Sequence, residues 1–245
     1  MQITTTDVGL TVDDSLMRVY VAAPKPAGQY PGVLFYSDIY QLGGPITRLA
    51  DRLAGYGYVV AAPEIFHRLE PAGTVLEPTA VGKLRGNDAA RRTEIAEYDA
   101  DANAVLDWLQ NQETVNTSQL ASFGFCIGGH LAFRAALQPR VRGAVCIYPT
   151  GIHSGKLGRG MADTLARVGE IDGQVLTIFG TTDPHVPAEG RQQILQALDQ
   201  AQIQHKTLRY EANHTFMRDD GYRYDPVATD EGWGEASAFL QSALP

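Results

Sequence analysis

Short apolar runs recur along this chain and alternate with stretches whose apolar positions fall three and four residues apart. Met17 to Ala23 and Gly32 to Ser37 read as strands, separated by a Pro- and Gly-rich turn from Pro24 to Pro31. Ile46 to Ala54 has helical spacing (Ile46, Leu49, Ala50, Leu53) and is closed by Gly55 and Gly57. Tyr58 to Ala62 is a further strand, ended by Pro63, and Ile95 to Leu109 is a long amphipathic helix. The apolar run Gln119 to Phe125 is followed by a helical pattern from His130 to Leu137 and by a strand at Ala144 to Tyr148. Val175 to Phe179, a helix from about Ala188 to Leu198, a strand Lys206 to Tyr210 and an amphipathic segment Ala228 to Leu240 complete the series. Strands alternating with helices predict an α/β protein whose mostly parallel central sheet carries helices on both faces. No repeat, low-complexity tract or linker interrupts the series, so residues 1–245 are expected to form one domain.

Two stretches break the alternation. Ile65 to Arg92 mixes Pro, Gly and charge, and Ile152 to Glu170 is polar and Gly-rich. Each leaves the carboxyl end of a predicted strand, where open α/β sheets bind ligands, so both are expected as pocket walls or lids. The formal charge of −8 argues against a nucleic-acid or anionic-membrane surface. The polar, Thr-rich start (Met1 to Asp14) lacks the features of a signal peptide, and no run approaches the roughly 18 apolar residues of a membrane span. A cytoplasmic protein is expected. Of two cysteines, Cys146 lies in the apolar run Gly143 to Ile147 and reads as a small core residue, so no disulfide framework is indicated.

The other cysteine carries the chemistry. In Gly124-Phe125-Cys126-Ile127-Gly128-Gly129 an apolar strand enters, a helix leaves, and the pattern is that of a nucleophile elbow with sulfur in place of oxygen. Small residues two positions away on each side accommodate the strained turn. Such a nucleophile needs a base, a group that orients the base, and an oxyanion hole. In elbow hydrolases the chain order is nucleophile, acid, His. Asp183 follows the strand Val175 to Phe179 in a Pro-bounded turn, and His214 follows the strand ending near Tyr210. His67, His130 and His153 precede Asp183 and break the order; His185 is too near Asp183 in sequence, and His205 opens a strand at its far end. Oxyanion donors are expected from the backbone N–H of Ile127, just after the nucleophile, and of Ile39, after the strand Gly32 to Ser37. The histidines show no metal-ligand spacing and Gly43-Gly44-Pro45 is no phosphate loop, so neither metal nor cofactor is expected.

Taken with their order and spacing, the blocks Tyr36 to Tyr40, Ala62 to Phe66, Gly124 to Gly129, Gly180 to Pro187 and Asn213 to Arg218 resemble the dienelactone hydrolase (carboxymethylenebutenolidase) family of α/β-hydrolases along nearly the whole chain. The resemblance implies a triad of Cys126, Asp183 and His214, oxyanion donors at Ile39 and Ile127, and a substrate-binding shell that includes Asp38, Thr215 and Arg218. Arg218 matches a family arginine that helps bind a substrate carboxylate. Asp38 stands where the family prototypes carry a Glu that takes part in switching on the thiol. A second substrate-binding arginine is expected before the long helix, where Lys83, Arg85, Arg91 and Arg92 all compete. A pocket tyrosine of the prototypes has no match at the expected place in that segment.

An ordinary cysteine thiol titrates near pKa ~8.5, so it needs help to act as a thiolate at neutral pH. His214 as base, oriented by Asp183, and the N-terminus of the elbow helix are expected to supply it. The expected reaction is attack on a small ester or enol-lactone carbonyl, release of the alcohol or enol, and hydrolysis of the resulting thioester. The alternatives are a carboxylesterase or thioesterase of other acyl specificity, and a non-catalytic α/β-hydrolase relative that binds a partner.

Overall fold

Along the strand that enters the elbow, Leu120 faces one apolar layer while Ala121, Phe123 and Phe125 face another. Its neighbours alternate in the same way: Leu34 and Tyr36 against Val33 and Phe35, Ala144 and Cys146 against Val145 and Ile147. A strand buried on both faces must be apolar at every position, which is why these runs look continuous rather than alternating in sequence. The computed structural model, which describes residues 1–245, arranges them as one eight-stranded sheet.

The strands are β1 (Ile3–Val12), β2 (Ser15–Pro24), β3 (Tyr30–Tyr36), β4 (Val59–Pro63), β5 (Val115–Phe125), β6 (Val141–Ile147), β7 (Gln174–Gly180) and β8 (His205–Tyr210). Their order across the sheet is β1-β2-β4-β3-β5-β6-β7-β8. β3 to β8 run parallel to one another, while β1 and β2 are antiparallel additions at one edge. Six helices cover the sheet: α1 (Gly44–Gly55), α2 (Ala80–Arg92), α3 (Ile95–Gln110), α4 (Ile127–Ala135), α5 (Ala188–Gln200) and α6 (Pro226–Ala243). Apolar residues of α1 and α6 pack on one face, and those of α3, α4 and α5 on the other. None of these helices is long and apolar enough to cross a membrane.

Three sequence expectations require correction. The stretch Met1 to Asp14, read only as a polar terminus, contains β1, which pairs with β2 along its full length from Ile3↔Pro24 to Val12↔Ser15. Its Thr-rich outer positions are exposed because it is the edge strand. The turn residues Asp13 and Asp14 have φ of 47° and 61°, the two positive values that a tight hairpin turn requires. Second, the irregular stretch Ile65 to Arg92 ends in α2. Thr79 caps this helix, its hydroxyl accepting from the Gly82 N–H at 3.2 Å. Gly82 and Gly86 weaken the helical signal, but packing demands both: a Cβ would lie 1.9 Å from the Glu77 carbonyl oxygen on Gly82 and 2.5 Å from the Ile39 carbonyl oxygen on Gly86. Third, the helix after Cys126 begins at Ile127 rather than at His130, and its strand begins at Val115 rather than at Gln119.

Cys146 is fully buried on β6 and unpaired, as its apolar surroundings predict. Ile152 to Glu170 stays irregular apart from one turn of 3-10 helix at Val168–Glu170.

Candidate active site

At the end of β5 the chain reverses through Cys126, whose φ of 59° and ψ of −121° lie far from the conformations cysteine prefers. What holds it there is packing on both sides. A Cβ on Gly124 would lie 2.0 Å from the Gly128 carbonyl oxygen, and one on Gly128 would lie 2.2 Å from the Ser37 carbonyl oxygen. Backbone bonds from Cys126 N–H to the Ile147 carbonyl (3.1 Å), and from Thr150 N–H to the Cys126 carbonyl (3.1 Å), tie the turn to the end of β6. Sγ therefore projects beyond the carboxyl ends of the strands, and the residue is only 9% exposed. The thiol is thus recessed in a pocket rather than presented on the surface.

Asp183 and His214, each beyond the end of its own strand, meet at this thiol. His214 Nε2 lies 3.2 Å from Cys126 Sγ, and Nδ1 lies 2.7 Å from Asp183 Oδ2. The second carboxylate oxygen of Asp183 accepts the His185 backbone N–H at 2.8 Å, which fixes the plane of the carboxylate. The His214 ring packs edge-on against Tyr148, with centroids 5.2 Å apart. Burial disfavours charge on His214, but the sulfur and the Asp183 carboxylate outweigh it and raise its pKa to about 10. The Ile127 N–H opens α4 and so has no intrahelical acceptor, and the Ile39 N–H meets no protein acceptor. Both residues line the same cavity as the thiol.

The cavity encloses about 700 Å³. Both irregular stretches contribute to its wall: Thr79, Lys83, Asn87 and Arg91 from the first, Lys156 to Gly158 and Gly160 from the second. Among the four competing basic residues, Lys83 and Arg91 reach it, whereas Arg85 pairs with Glu70, and Arg92 pairs with Asp88 at 3.4 Å. Thr215 lines it with a positive φ of 63°. Asp38 and Arg218 also line it, but they are engaged with each other. Arg218 Nη1 donates to Asp38 Oδ2 at 2.7 Å, Asp220 approaches Arg218 Nε at 2.8 Å, and the guanidinium lies 5.0 Å above the Tyr40 ring. The Tyr40 N–H donates to the remaining Asp38 oxygen at 2.8 Å. Burial raises the Asp38 pKa, with Arg218 opposing it. By contrast, Lys83 and Lys156 have no carboxylate partner. Sequence reasoning missed His185, Tyr222 and Arg223 as wall residues; only their positions after strand ends hinted at it.

A mostly parallel sheet flanked by helices, with a sharp strained turn between a central strand and the following helix, is the α/β-hydrolase architecture. The "Dienelactone hydrolase family" model matches residues 17–244, and the chain belongs to that family of carboxylic ester hydrolases. A Saccharomyces cerevisiae protein provisionally named as a carboxymethylenebutenolidase is 40% identical over 230 residues, covering 89% of this chain and 84% of its own. A Synechocystis protein with the same provisional name is 29% identical over 245 residues, covering 100% of this chain and 99% of its own. Among solved structures, a dienelactone hydrolase-like promiscuous phosphotriesterase from metagenomic libraries superposes with a TM-score of 0.81 at 22% identity, covering 100% of both chains.

Proposed function

We propose that this hydrolase cleaves small ester or enol-lactone bonds by covalent catalysis at Cys126, with His214 as base and acid and Asp183 orienting it. The observation that carries this reading is the unbroken relay from Asp183 Oδ2 through His214 to Sγ, at 2.7 Å and 3.2 Å. The raised His214 pKa suits the ring to hold a proton taken from Sγ. The thiolate attacks the carbonyl carbon, and the oxyanion is held by the N–H groups of Ile39 and Ile127. Collapse breaks the C–O bond, His214 gives its proton to the departing oxygen, and a thioester remains on Cys126. Water then attacks the thioester, a proton passes to His214, and the thiolate leaves with the acid product. Alkylation with iodoacetamide tests this directly, because Cys146, fully buried and with its thiol pKa pushed far up by burial, is a built-in control. One equivalent is expected at Cys126, with hydrolysis lost in parallel. A fully alkylated Cys126 in an active protein would end the proposal.

The pH dependence follows from the His214 shift. Its pKa lies above the ~6.5 of a free imidazole, so the charged form persists through neutrality and is lost as pH rises through about 10. The alkaline limb of kcat/KM is therefore expected near pH 10. Asp183→Asn removes one of the two groups that raise it, so the limb should move to lower pH while kcat falls by roughly 10²- to 10⁴-fold. An alkaline limb unmoved in Asp183→Asn would exclude the coupling.

Substrate choice turns on the cations of the wall. The carboxymethylenebutenolidase reading requires recognition of a substrate carboxylate, yet Arg218 already faces Asp38 and Asp220. Lys83 is free to take that role. Lys83→Met is expected to raise KM for a carboxylate-bearing lactone by roughly 10-fold or more, the value of one charge-assisted hydrogen bond, and to leave a neutral short-chain ester unchanged. Equal effects on both substrates would favour the second reading, a carboxylesterase or thioesterase of other acyl specificity, which the engagement of Arg218 independently suggests.

A further inference from the structure

The His185 side chain has no role in the relay, although it stands beside it. Its ring centroid is 4.6 Å from that of His214, and the two rings are inclined at 58° rather than stacked. It lines the same cavity as Cys126 and Thr215, and neither ring nitrogen meets a protein partner. Its main chain is anchored, because its own backbone N–H donates to Asp183 Oδ1. An imidazole at the edge of the base, lining the same cavity and with both ring nitrogens free of protein partners, is suited to share a small molecule with that base.

We propose that His185 is a further catalytic residue, which together with His214 holds the water that hydrolyses the acyl–Cys126 thioester. This rests on the covalent mechanism proposed above. Once Sγ is acylated, Nε2 of His214 is released from the thiol and can accept one O–H of a water. A water in a recessed site is held by two to four polar partners, and His185 supplies the second. Partial desolvation and the neighbouring His214, against the opposing charge of Asp183, lower the His185 pKa, which favours the neutral ring with an acceptor nitrogen for the other O–H. In the step itself the water oxygen bonds to the thioester carbon and its first proton moves to His214 Nε2. The tetrahedral oxyanion collapses, the C–S bond breaks with its electron pair on sulfur, and thiolate and imidazolium are regenerated beside a free carboxylic acid. His185 undergoes no net change; it aims the water and raises its local concentration.

The experiment separates acylation from deacylation with p-nitrophenyl acetate, by rapid quench and mass measurement of acetyl-Cys126, in wild type, His185→Phe and His185→Gln. All three retain the backbone N–H that Asp183 accepts. His185→Phe is expected to acylate within about twofold of wild type but to deacylate roughly 3- to 10-fold more slowly, the kinetic equivalent of one hydrogen bond, so that acetyl-enzyme accumulates. His185→Gln, which restores an acceptor, should recover most of the deacylation rate. Equal deacylation rates in wild type and His185→Phe would overturn the proposal. So would a matched fall in acylation and deacylation that glutamine fails to rescue, since that marks a packing role. Should wild type turn over the ester without ever carrying acetyl on Cys126, the covalent mechanism itself fails, and that outcome is distinguishable from the other two.

Discussion

Cys126→Ala will lose ester hydrolysis by roughly 10³- to 10⁶-fold in kcat, measured against a small activated ester, with the folded state retained. The size of the loss follows from the geometry. Sγ is the atom that His214 Nε2 addresses at 3.2 Å, and the Thr150 hydroxyl lies 4.0 Å from Sγ. Alanine keeps the Cβ and adds no new contact at the turn, so the effect should appear in kcat rather than in the unfolding midpoint. Groups that act as one unit also lose activity as one unit. Adding His214→Ala to Cys126→Ala should therefore cost less than about 10-fold more, although His214→Ala alone should be severely impaired. Additive losses would mean that the two side chains act independently, which the covalent mechanism does not allow.

Gly128→Ala is expected to be severely damaging for a single added methyl. The added Cβ would fall 2.2 Å from the Ser37 carbonyl oxygen and 2.8 Å from the Tyr36 Cβ, both at the end of the central strand β3. Neither can yield without moving Asp38 and Ile39, which follow directly. A backbone clash of this kind belongs with the rare substitutions that cost more than about 4 kcal/mol, and activity should fall with stability. Gly234→Ala provides the contrast. It sits in α6 with nothing within 4 Å of the added Cβ, so replacing a helical glycine there should stabilise by roughly 0.5–1 kcal/mol. Urea midpoints of the two variants, one far below wild type and one slightly above, are the expected pair. A Gly128→Ala protein with a wild-type midpoint would show that the elbow is not held as tightly as its contacts indicate.

These two residues lie in the part of the molecule most legible from the amino-acid order. The Gly124 to Gly129 motif carries its own steric logic, because a strained turn between strand and helix admits only small neighbours. Asp183 and His214 were identifiable because each follows a strand predicted from its apolar run, and parallel strands deliver their carboxyl ends to one side of the sheet. The edge strand β1 was hidden for the opposite reason: with one edge unpaired, Thr-rich exposed positions dilute the apolar signal, and only the Asp13-Asp14 turn gave a local cue. In α2 the glycine that lets the helix approach Ile39 also lowers intrinsic helix propensity, so local preference and tertiary packing point in different directions.

Chain order thus pointed to the fold class, to Cys126 as the proposed nucleophile and, through strand ends read with the nucleophile–acid–histidine order of elbow hydrolases, to its two proposed partners. It did not define which charges are free. That Arg218 is engaged with Asp38 across 180 residues, that Lys83 rather than Arg85 reaches the cavity, and that His185 rests against His214 are consequences of where separate loops converge above the sheet. Such contacts depend on distances between segments remote in sequence, and those distances are set only when the sheet is assembled and the helices are packed on it.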